Sequence, residues 1–506
     1  MRKTRLYLLI ALALGLAACA SLGSRADLVS VRILVDGGAL SASVPAGSSV
    51  RQALQAAGVE VGPLDRSEPP SYTVLQGGEE VRLLRVSEDF ETEQSELPFV
   101  SRTLPNEALP VGEQRLIQNG VNGLQEATYR LLYEDGELVA RTLVGATTLS
   151  QPVEEIIMIG AQSPFSAVGL PGRLAFLSAG NAWVFDGSSG ARRAVAVTGD
   201  LDGRIFEVSP DGRWLLFSRT SAAANTINEL WLAGLEEGPL TLIDLGLENV
   251  VHYAGWVPGA AYQVAFSTVD PADNPPGWQA RNDLQLLEID ADGQPGRLRT
   301  LLAANQEGFY AWWGSGFAWS PSGQRLAFAR PDGVGSVGLA TGSLNLWYSL
   351  PAYQTGSDWA WIPGLSWLDE ERFYYVHYTI NPPSFALTLA GPNDSQAIAQ
   401  DVGLFAMPQT EPGGEQVAYL RAFLPSQGEI SGYQLMVATP QGVSMLLFPP
   451  EGAAGLTPHK LAWSPSAEDG PLIAFLYEGD LWVVNVLSGE AQQLTGDGLV
   501  GAVSWR

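Results

Sequence analysis

The stretch Trp319-Ser-Pro-Ser-Gly-Gln-Arg-Leu-Ala-Phe328 places an aromatic residue, a tight turn and an apolar run in direct succession. Proline followed closely by glycine favours a β-turn, and the apolar run favours a buried strand. The same order recurs from residue 171 onward. Its clearest copies are Val208-Ser-Pro-Asp-Gly-Arg-Trp-Leu-Leu-Phe217 and Trp463-Ser-Pro-Ser466, and weaker copies begin at Trp256, Trp367 and Met407.

These copies follow one another at intervals of 40 to 63 residues. A repeat of about 40 to 50 residues with several short strands is typical of a β-propeller blade. The first copy, at Arg173–Phe176, lacks an anchor strand, and the final Gly501–Trp505 supplies a matching one. The sequence therefore predicts a mainly β chain with a propeller over 171–506. We expect about seven blades, the first closed by the C-terminal strand so that no sheet edge is exposed.

The repeats resemble the TolB-like (WD-repeat-like) propeller family, whose members carry this Trp/Phe-Ser-Pro-Asp-Gly signature. Members occur in periplasmic and surface proteins, mainly as platforms for protein contacts, and also beside peptidase domains. The resemblance implies a protein partner at a propeller face.

Tryptophan marks the main domain boundary. All fifteen tryptophans lie between Trp183 and Trp505. Residues 161–170, with Pro164 and Gly169, are predicted to link the two halves.

Residues 28–87 predict a small module in which two alternating strands form a hairpin at Asp36-Gly-Gly38. Ser48 or Ser49 is expected to cap a short helix to about Ala57, and Tyr72–Leu75 and Val81–Val86 are expected to be strands. This order resembles the ubiquitin-like β-grasp fold.

Residues 88–160 are extended segments separated by glycine turns, with Asp135-Gly136 as a hairpin signal. The series is similar to the G-five domain, an elongated β domain, and the β-grasp module is similar to one that often precedes it in cell-wall proteins. The resemblance implies binding of peptidoglycan or another glycan containing N-acetylglucosamine. It rests on Glu96–Val100, Leu109–Glu113, Ile117–Gly123, Ala127–Tyr133 and Pro152–Ile156, taken in order.

The N-terminus carries Arg2, Lys3 and Arg5 before the uncharged run Leu6–Leu16. That run is too short to span a bilayer, which needs about 20 apolar residues, and it has the proportions of a signal-peptide core. Leu16-Ala-Ala-Cys19 resembles the bacterial lipobox, although an ordinary signal peptide with an accidental cysteine is the alternative.

The lipobox resemblance implies that residues 1–18 are removed by cleavage between Ala18 and Cys19. It also implies that Cys19 carries the lipid and that residues 19–27 form a tether. We therefore expect an extracytoplasmic protein anchored to the outer surface of the cell membrane. Residue 20 is alanine and not the aspartate that retains lipoproteins in the inner membrane. In a cell with two membranes, the expected locations therefore include the outer membrane.

The net charge of the chain is −26, and removal of residues 1–18 with their three positive charges makes it −29. Such a chain has no excess basic surface for phosphates, which excludes nucleic acid as the expected partner. Cys19 is the only cysteine, so the chain has no intrachain disulfide and no cysteine metal site.

Catalytic chemistry finds little support in the sequence. His252, His377 and His459 fall in three different repeats, and no serine lies in a G-x-S-x-G motif. Gly333-Val-Gly-Ser-Val-Gly338 satisfies G-x-G-x-x-G but is followed by turn and strand signals, which predict a blade loop. We therefore predict no catalytic residue, metal or cofactor.

Aromatic residues in predicted loops are the candidate ligand contacts, because aromatic rings stack on sugars and anchor protein partners. These candidates are Trp278, Trp312, Trp313, Trp359 and Trp361.

Two functional hypotheses follow. The first is a non-enzymatic lipoprotein that binds glycan through the G-five region and scaffolds a protein through the propeller, and a pure spacer is its variant. The second is an enzyme acting on envelope polysaccharide or peptide through acidic residues in the propeller mouth, for which two carboxylates about 5 to 10 Å apart would be needed.

Overall fold

The computed structural model describes residues 27–107, 109–161, 165–260, 262–306, 312–353, 361–423, 432–465 and 470–506. Ala18, Cys19 and the greater part of the predicted tether lie outside these ranges, and so does Trp359. The described chain forms two compact units. The first runs to Leu104 and includes Gln114–Met158, and the second comprises Pro105–Glu113 and Ile159–Arg506.

The first module is a four-stranded sheet, in the order β2-β1-β4-β3, with one helix packed on it. The strands β1 and β4 are parallel. Its elements are β1 (Leu28–Val35), β2 (Gly38–Pro45), α1 (Val50–Ala56), β3 (Arg66–Glu68) and β4 (Glu80–Leu84).

Local sequence explains the hairpin and the helix. Asp36 and Gly37 both have positive φ, 52° and 74°, as the tight hairpin turn requires. Ser49 caps α1 in a capping box with Gln52. The strand predicted at Tyr72–Leu75 is wrong, because this segment is a turn with one isolated bridge at Val74. Assignment to the β-grasp family stays a prediction.

The following region contains two three-stranded sheets, in the orders β5-β8-β9 and β6-β10-β7. Its strands are β5 (Val86–Leu97), β6 (Ser101–Asn106), β7 (Gln114–Gln118), β8 (Gly123–Glu134), β9 (Glu137–Ser150) and β10 (Glu155–Gly160). Gly123 permits a close approach, because a Cβ there would lie 2.5 Å from the Ser150 carbonyl oxygen.

Within its described residues, the C-terminal region contains seven antiparallel four-stranded sheets, each one a blade, which confirms the predicted propeller. Blade 1 contains β11 (Gly169–Ser178), β12 (Asn181–Ser188) and β13 (Arg192–Ala196). Blade 2 contains β14 (Leu201–Val208), β15 (Trp214–Thr220), β16 (Asn228–Gly234) and β17 (Leu242–Glu248). Blade 3 contains β18 (Tyr253–Trp256), β19 (Gln263–Ser267), β22 (Leu284–Ile289) and β23 (Pro295–Leu302), with an extra hairpin of β20 (Val269–Pro271) and β21 (Trp278–Ala280).

Blades 4 to 7 repeat this plan. Blade 4 contains β24 (Gly316–Trp319), β25 (Leu326–Arg330), β26 (Gly333–Gly338) and β27 (Ser343–Ser349). Blade 5 contains β28 (Leu365–Trp367), β29 (Phe373–Ile380), β30 (Pro383–Ala390) and β31 (Ser395–Ala399). Blade 6 contains β32 (Gln409–Thr410), β33 (Val417–Phe423), β34 (Gly432–Ala438) and β35 (Ser444–Phe448). Blade 7 contains β36 (Ala462–Trp463), β37 (Leu472–Tyr477), β38 (Asp480–Asn485) and β39 (Ala491–Gln493).

The last strand, β40 (Val500–Trp505), is the inner strand of blade 1 and pairs with β11 from Leu174↔Trp505 onward. The predicted closure by the C-terminal strand is therefore confirmed. The glycine motif at Gly333–Gly338 is strand β26, so the predicted loop there is wrong. Small residues fit this strand because the Leu346 side chain and the Asn345 backbone come close to its glycines.

The anchor tryptophans lock neighbouring blades together. The indole nitrogens of Trp256, Trp367 and Trp463 donate to carbonyl oxygens of the preceding blade, at 3.1, 2.7 and 2.8 Å. The equivalent position in blade 6 is Thr410 and not Met407, because Thr410 pairs with Val417 as Trp319 pairs with Leu326. Hydrophobic clusters between adjacent blades, such as the one joining blades 1 and 2, form the core.

Candidate functional site

The β5-β8-β9 sheet is a single layer whose two edge strands are open to solvent. Every residue of β9 is exposed, and β5 is exposed except at its two ends. A strand covered by a second layer would have one buried face, and neither edge strand does. Side chains on both faces of this sheet are therefore accessible to a ligand.

The pairing register brings one set of side chains to the same face, here called the tyrosine face. Glu91 lies opposite Tyr129 and Asp89 lies opposite Leu131, while Tyr129 lies opposite Leu143. Because side chains alternate along a strand, these neighbours and those two positions away share a face. The tyrosine face comprises Asp89, Glu91, Glu93, Tyr129, Leu131, Tyr133, Leu138, Arg141 and Leu143.

Bulges in β9 preserve this alignment. Tyr129 and Tyr133 are four residues apart on β8, whereas their partners Leu143 and Leu138 are five apart on β9. The register shift between Leu132 and Tyr133 absorbs the extra residue. Bulges also twist an edge strand and so hinder pairing with another strand. Both tyrosines are half-buried and lie roughly 13 Å apart along β8.

The tyrosine face carries one basic side chain, Arg141, which lies over the Tyr129 ring. The Arg141 guanidinium carbon lies 3.6 Å from the Tyr129 ring centroid, and its nitrogens reach Glu93 at 2.7 Å and Glu91 at 3.3 Å. Hydrogen bonds to Glu93 and Glu91 raise the pKa of Arg141. Exposed ion pairs add little stability, so their main effect is to orient Arg141 over the ring. With three carboxylates and one guanidinium, the face is negative.

The opposite face has a different character. Phe90 is exposed there, and Glu88 forms an ion pair with Arg130 at 2.5 Å. On β9 this face carries small residues, including Ala140, Thr142 and Gly145. The tyrosine face differs in carrying two tyrosine rings beside three carboxylates, Asp89, Glu91 and Glu93. Such a surface suits a molecule with apolar C–H faces and polar hydrogens, such as a sugar.

Sequence reasoning missed the tyrosine face. The signal was present, because Tyr129 and Tyr133 lie four residues apart in a predicted strand and so share a face. Their arrangement with Asp89, Glu91 and Arg141 depends on cross-strand register, which the sequence leaves undefined.

The predicted propeller aromatics have different environments. The Trp278 indole donates to His252 Nε2 at 3.1 Å, and Arg204 lies 5.0 Å from the Trp278 ring. Burial and the Arg204 charge lower the pKa of His252 to about 4. Trp312 and Trp313 are half-buried, and the Trp312 carbonyl accepts from the Ala280 amide at 3.0 Å.

Trp361 is only 2% exposed, and its indole donates to the Leu404 carbonyl at 2.8 Å. Its ring packs with Phe385 in the core of blades 5 and 6. This location contradicts its prediction as a ligand contact, because no open ring face is left. Ligand contact by Trp278, Trp312 and Trp313 stays a prediction.

A charged pair joins two blades that are not consecutive in the ring. Glu207 of the inner strand β14 binds Lys460, which precedes the inner strand of blade 7, so the pair bridges two blades on either side of blade 1. The Glu207 carboxylate is thus held by an ammonium group. Among the described residues, no group of three or more His, Cys, Asp or Glu side chains could hold a metal ion.

The model of the G5 (G-five) domain family matches residues 88–162. Residues 88–162 are a G5 domain. Among solved structures, the G5 domain of HP0197 is similar at 22% identity, covering 15% of this chain and 99% of its own, with a TM-score of 0.15. No curated protein sequence matches the chain.

Propeller structures are similar over more of the chain. TolB from Acinetobacter baumannii is 10% identical, covering 83% of this chain and 100% of its own, with a TM-score of 0.39. The periplasmic gluconolactonase PpgL from Pseudomonas aeruginosa is 13% identical, covering 67% of this chain and 98% of its own, with a TM-score of 0.42.

Within the described residues, no helix is long and apolar enough to cross a membrane.

Proposed function

We propose that this protein is a lipid-anchored, extracytoplasmic binding protein that attaches to glycan through the tyrosine face of its G5 domain. The propeller then serves as a rigid platform for a protein partner, and no catalytic activity is proposed. The observation that carries the proposal is the tyrosine face, an aromatic and acidic surface on an uncovered sheet of the G5 domain.

The charge of the tyrosine face favours some glycans over others. Asp89, Glu91 and Glu93 repel sulfated or phosphorylated sugars, whereas their oxygens can accept hydrogen bonds from hydroxyl and amide groups. The expected point of contact is therefore the N-acetylated sugar backbone of a wall glycan. The single arginine is engaged by Glu91 and Glu93 and so contributes little to binding an anion.

Sedimentation with purified peptidoglycan tests the glycan role, using the chain from residue 20 onward. We expect Tyr133→Ala to weaken retention about two- to twelve-fold, because stacking on an aromatic ring contributes about 0.5 to 1.5 kcal/mol. Phe90→Ala is the matched control, since Phe90 belongs to the same sheet but to its opposite face. Equal retention of Tyr133→Ala and wild type would contradict the proposed site.

The lipid anchor is a separate part of the proposal. Cys19→Ala removes the only thiol that could take the thioether lipid. In cells fed radiolabelled palmitate, we expect wild-type protein to be labelled and membrane-bound, and Cys19→Ala to be unlabelled. Labelling of the variant would refute anchoring at Cys19.

A further inference from the structure

A cavity of about 530 Å³ lies between blade 7 and blade 1, and we call it the seam cavity. Blade 7 contributes an apolar floor, Leu472 and Val483, and polar walls that include Asn485, Glu490 and Gln492. Blade 1 contributes residues 168–172 and Gly187, where glycine leaves much of the wall as bare backbone. The volume lies in the range of small-molecule sites, about 300 to 1,000 Å³.

The seam cavity exists because of how the ring closes. Between blades 3 and 4, the turn after one inner strand packs on the corresponding turn of the next blade. A Cβ on Gly323 of blade 4 would lie 2.0 Å from the Pro258 carbonyl oxygen of blade 3, which shows how tightly these turns meet. Blade 1 has no such turn, since its inner strand ends at Trp505 and its second strand begins at Gly169. Blade 1 therefore offers no turn at the place where it meets blade 7, and space remains between Gly187 and Leu472.

The wall formed by the entering chain is firmly held. The Trp505 indole donates to the Pro171 carbonyl at 2.7 Å, and the Arg506 amide donates to the Arg173 carbonyl at 3.0 Å. Gly172 has φ +71°, and a Cβ there would lie 2.3 Å from the Arg506 carbonyl oxygen. A wall held by these hydrogen bonds and poor in mobile side chains keeps the cavity formed before a ligand arrives, which lowers the entropic cost of binding.

The polar lining selects the kind of ligand. Among the described residues that line the cavity, Glu490 is the one ionisable side chain, and none of them is a lysine or an arginine. Gln492 donates to Glu490 at 3.1 Å, so the carboxylate and amide lie side by side. A negative, acceptor-rich wall facing an apolar floor favours a ligand with hydroxyl or ammonium donors and an apolar ring face. An anionic ligand would meet uncompensated repulsion.

We propose that the seam cavity binds a small hydroxyl- or amine-bearing molecule of amino-sugar size, neutral or singly positive. Its ring face lies on Leu472 and Val483, and its donors bind Glu490 and Gln492. This site is on the propeller and does not rest on glycan binding by the G5 domain.

Ligand-observed saturation-transfer NMR tests the proposal on the chain from residue 20, with glucosamine, glucose and glucuronate as probes. We expect glucosamine and glucose to bind and glucuronate to give no signal. Gln492→Trp fills the cavity and should weaken binding at least ten-fold. Gln396→Trp is the matched control, because Gln396 lies on the equivalent outer strand of blade 5. Glu490→Gln should reduce glucosamine binding to the level of glucose.

A second blocking variant tests whether loss of probe binding in Gln492→Trp comes from the filled cavity and not from a folding defect. Gly169→Phe acts from the opposite wall, where a Cβ meets no atom within 4 Å. Both blocking variants should keep the wild-type thermal unfolding midpoint while losing probe binding. Absence of any signal from glucosamine and glucose, or unchanged binding in both variants, would overturn the seam site. Peptidoglycan retention through Tyr133 is measured separately, so failure of one proposal is distinguishable from failure of the other.

Discussion

His459 should make the propeller lose stability in mild acid. Its Nδ1 lies 2.7 Å from the Thr457 carbonyl, and its Nε2 accepts from the Leu476 amide at 2.9 Å. A proton on Nε2 would point at that amide N–H, so the charged ring loses a hydrogen bond. Burial lowers the pKa of His459 to about 4.

The direction of the change in stability with pH follows from the difference between the folded and unfolded pKa of His459. With a folded pKa of about 4 and an ordinary value of 6.5, the unfolded chain takes up the proton first as pH falls. Stability is therefore complete above pH 6.5 and is lost as pH falls towards 4. Between pH 7 and 4.5 the loss is at most about 2.5 kcal/mol for one histidine. Because the ring is only half-buried, solvent screening reduces it, and we expect about 1 to 2 kcal/mol.

Urea unfolding followed by tryptophan fluorescence is the assay. All fifteen tryptophans lie at or after residue 183, so the signal reports on the propeller alone. His459→Gln should lower the free energy of unfolding at pH 7, because it disturbs two hydrogen bonds. Between pH 7 and 4.5, however, the free energy of unfolding of the variant should fall by about 1 to 2 kcal/mol less than that of the wild type. The comparison of variant with wild type removes the background from other titrating groups. If both proteins lose the same amount, His459 does not titrate as argued.

Two further predictions concern ring closure and a buried charge. Trp505→Ala should lower the free energy of unfolding by about 3 to 5 kcal/mol in the same assay, because Trp505 is 3% exposed and completes blade 1. Leu499→Ala is the control, since Leu499 is 58% exposed and its loss should cost under about 0.5 kcal/mol. Arg192→Met should lower the free energy of unfolding by about 3 to 5 kcal/mol, because the Arg192 side chain is 3% exposed. Its loss leaves the carboxylates of Glu107 and Asp497 without their cationic partner. A cost under about 1 kcal/mol in either core variant would show that closure or charge pairing contributes little.

The sequence predicted those features of the fold that repeat or that have a local signal. The Ser-Pro-Asp-Gly turns and the apolar runs predicted blades, and the orphan strand at Gly501–Trp505 predicted how the ring closes. The ordered glycine segments predicted the G5 domain, which its family match confirms. Asp36-Gly37 predicted a turn, and Ser48 or Ser49 predicted a cap. Turns, caps and strands are encoded within a few neighbouring residues, because turn and strand preferences are local. Closure of the ring was predictable because one repeat lacked a strand that the end of the chain supplies.

The candidate site depended on contacts that local sequence does not encode. Cross-strand register, adjusted by bulges in β9, decides that Tyr129 lies beside Glu91 and under Arg141. Packing between blades, and not residue type, decides that Trp361 is buried while Trp313 is partly open. The seam cavity arises only when the two ends of the propeller meet. Register, interblade packing and the space left at the closed seam depend on residues far apart in sequence, so only the tertiary structure could determine them.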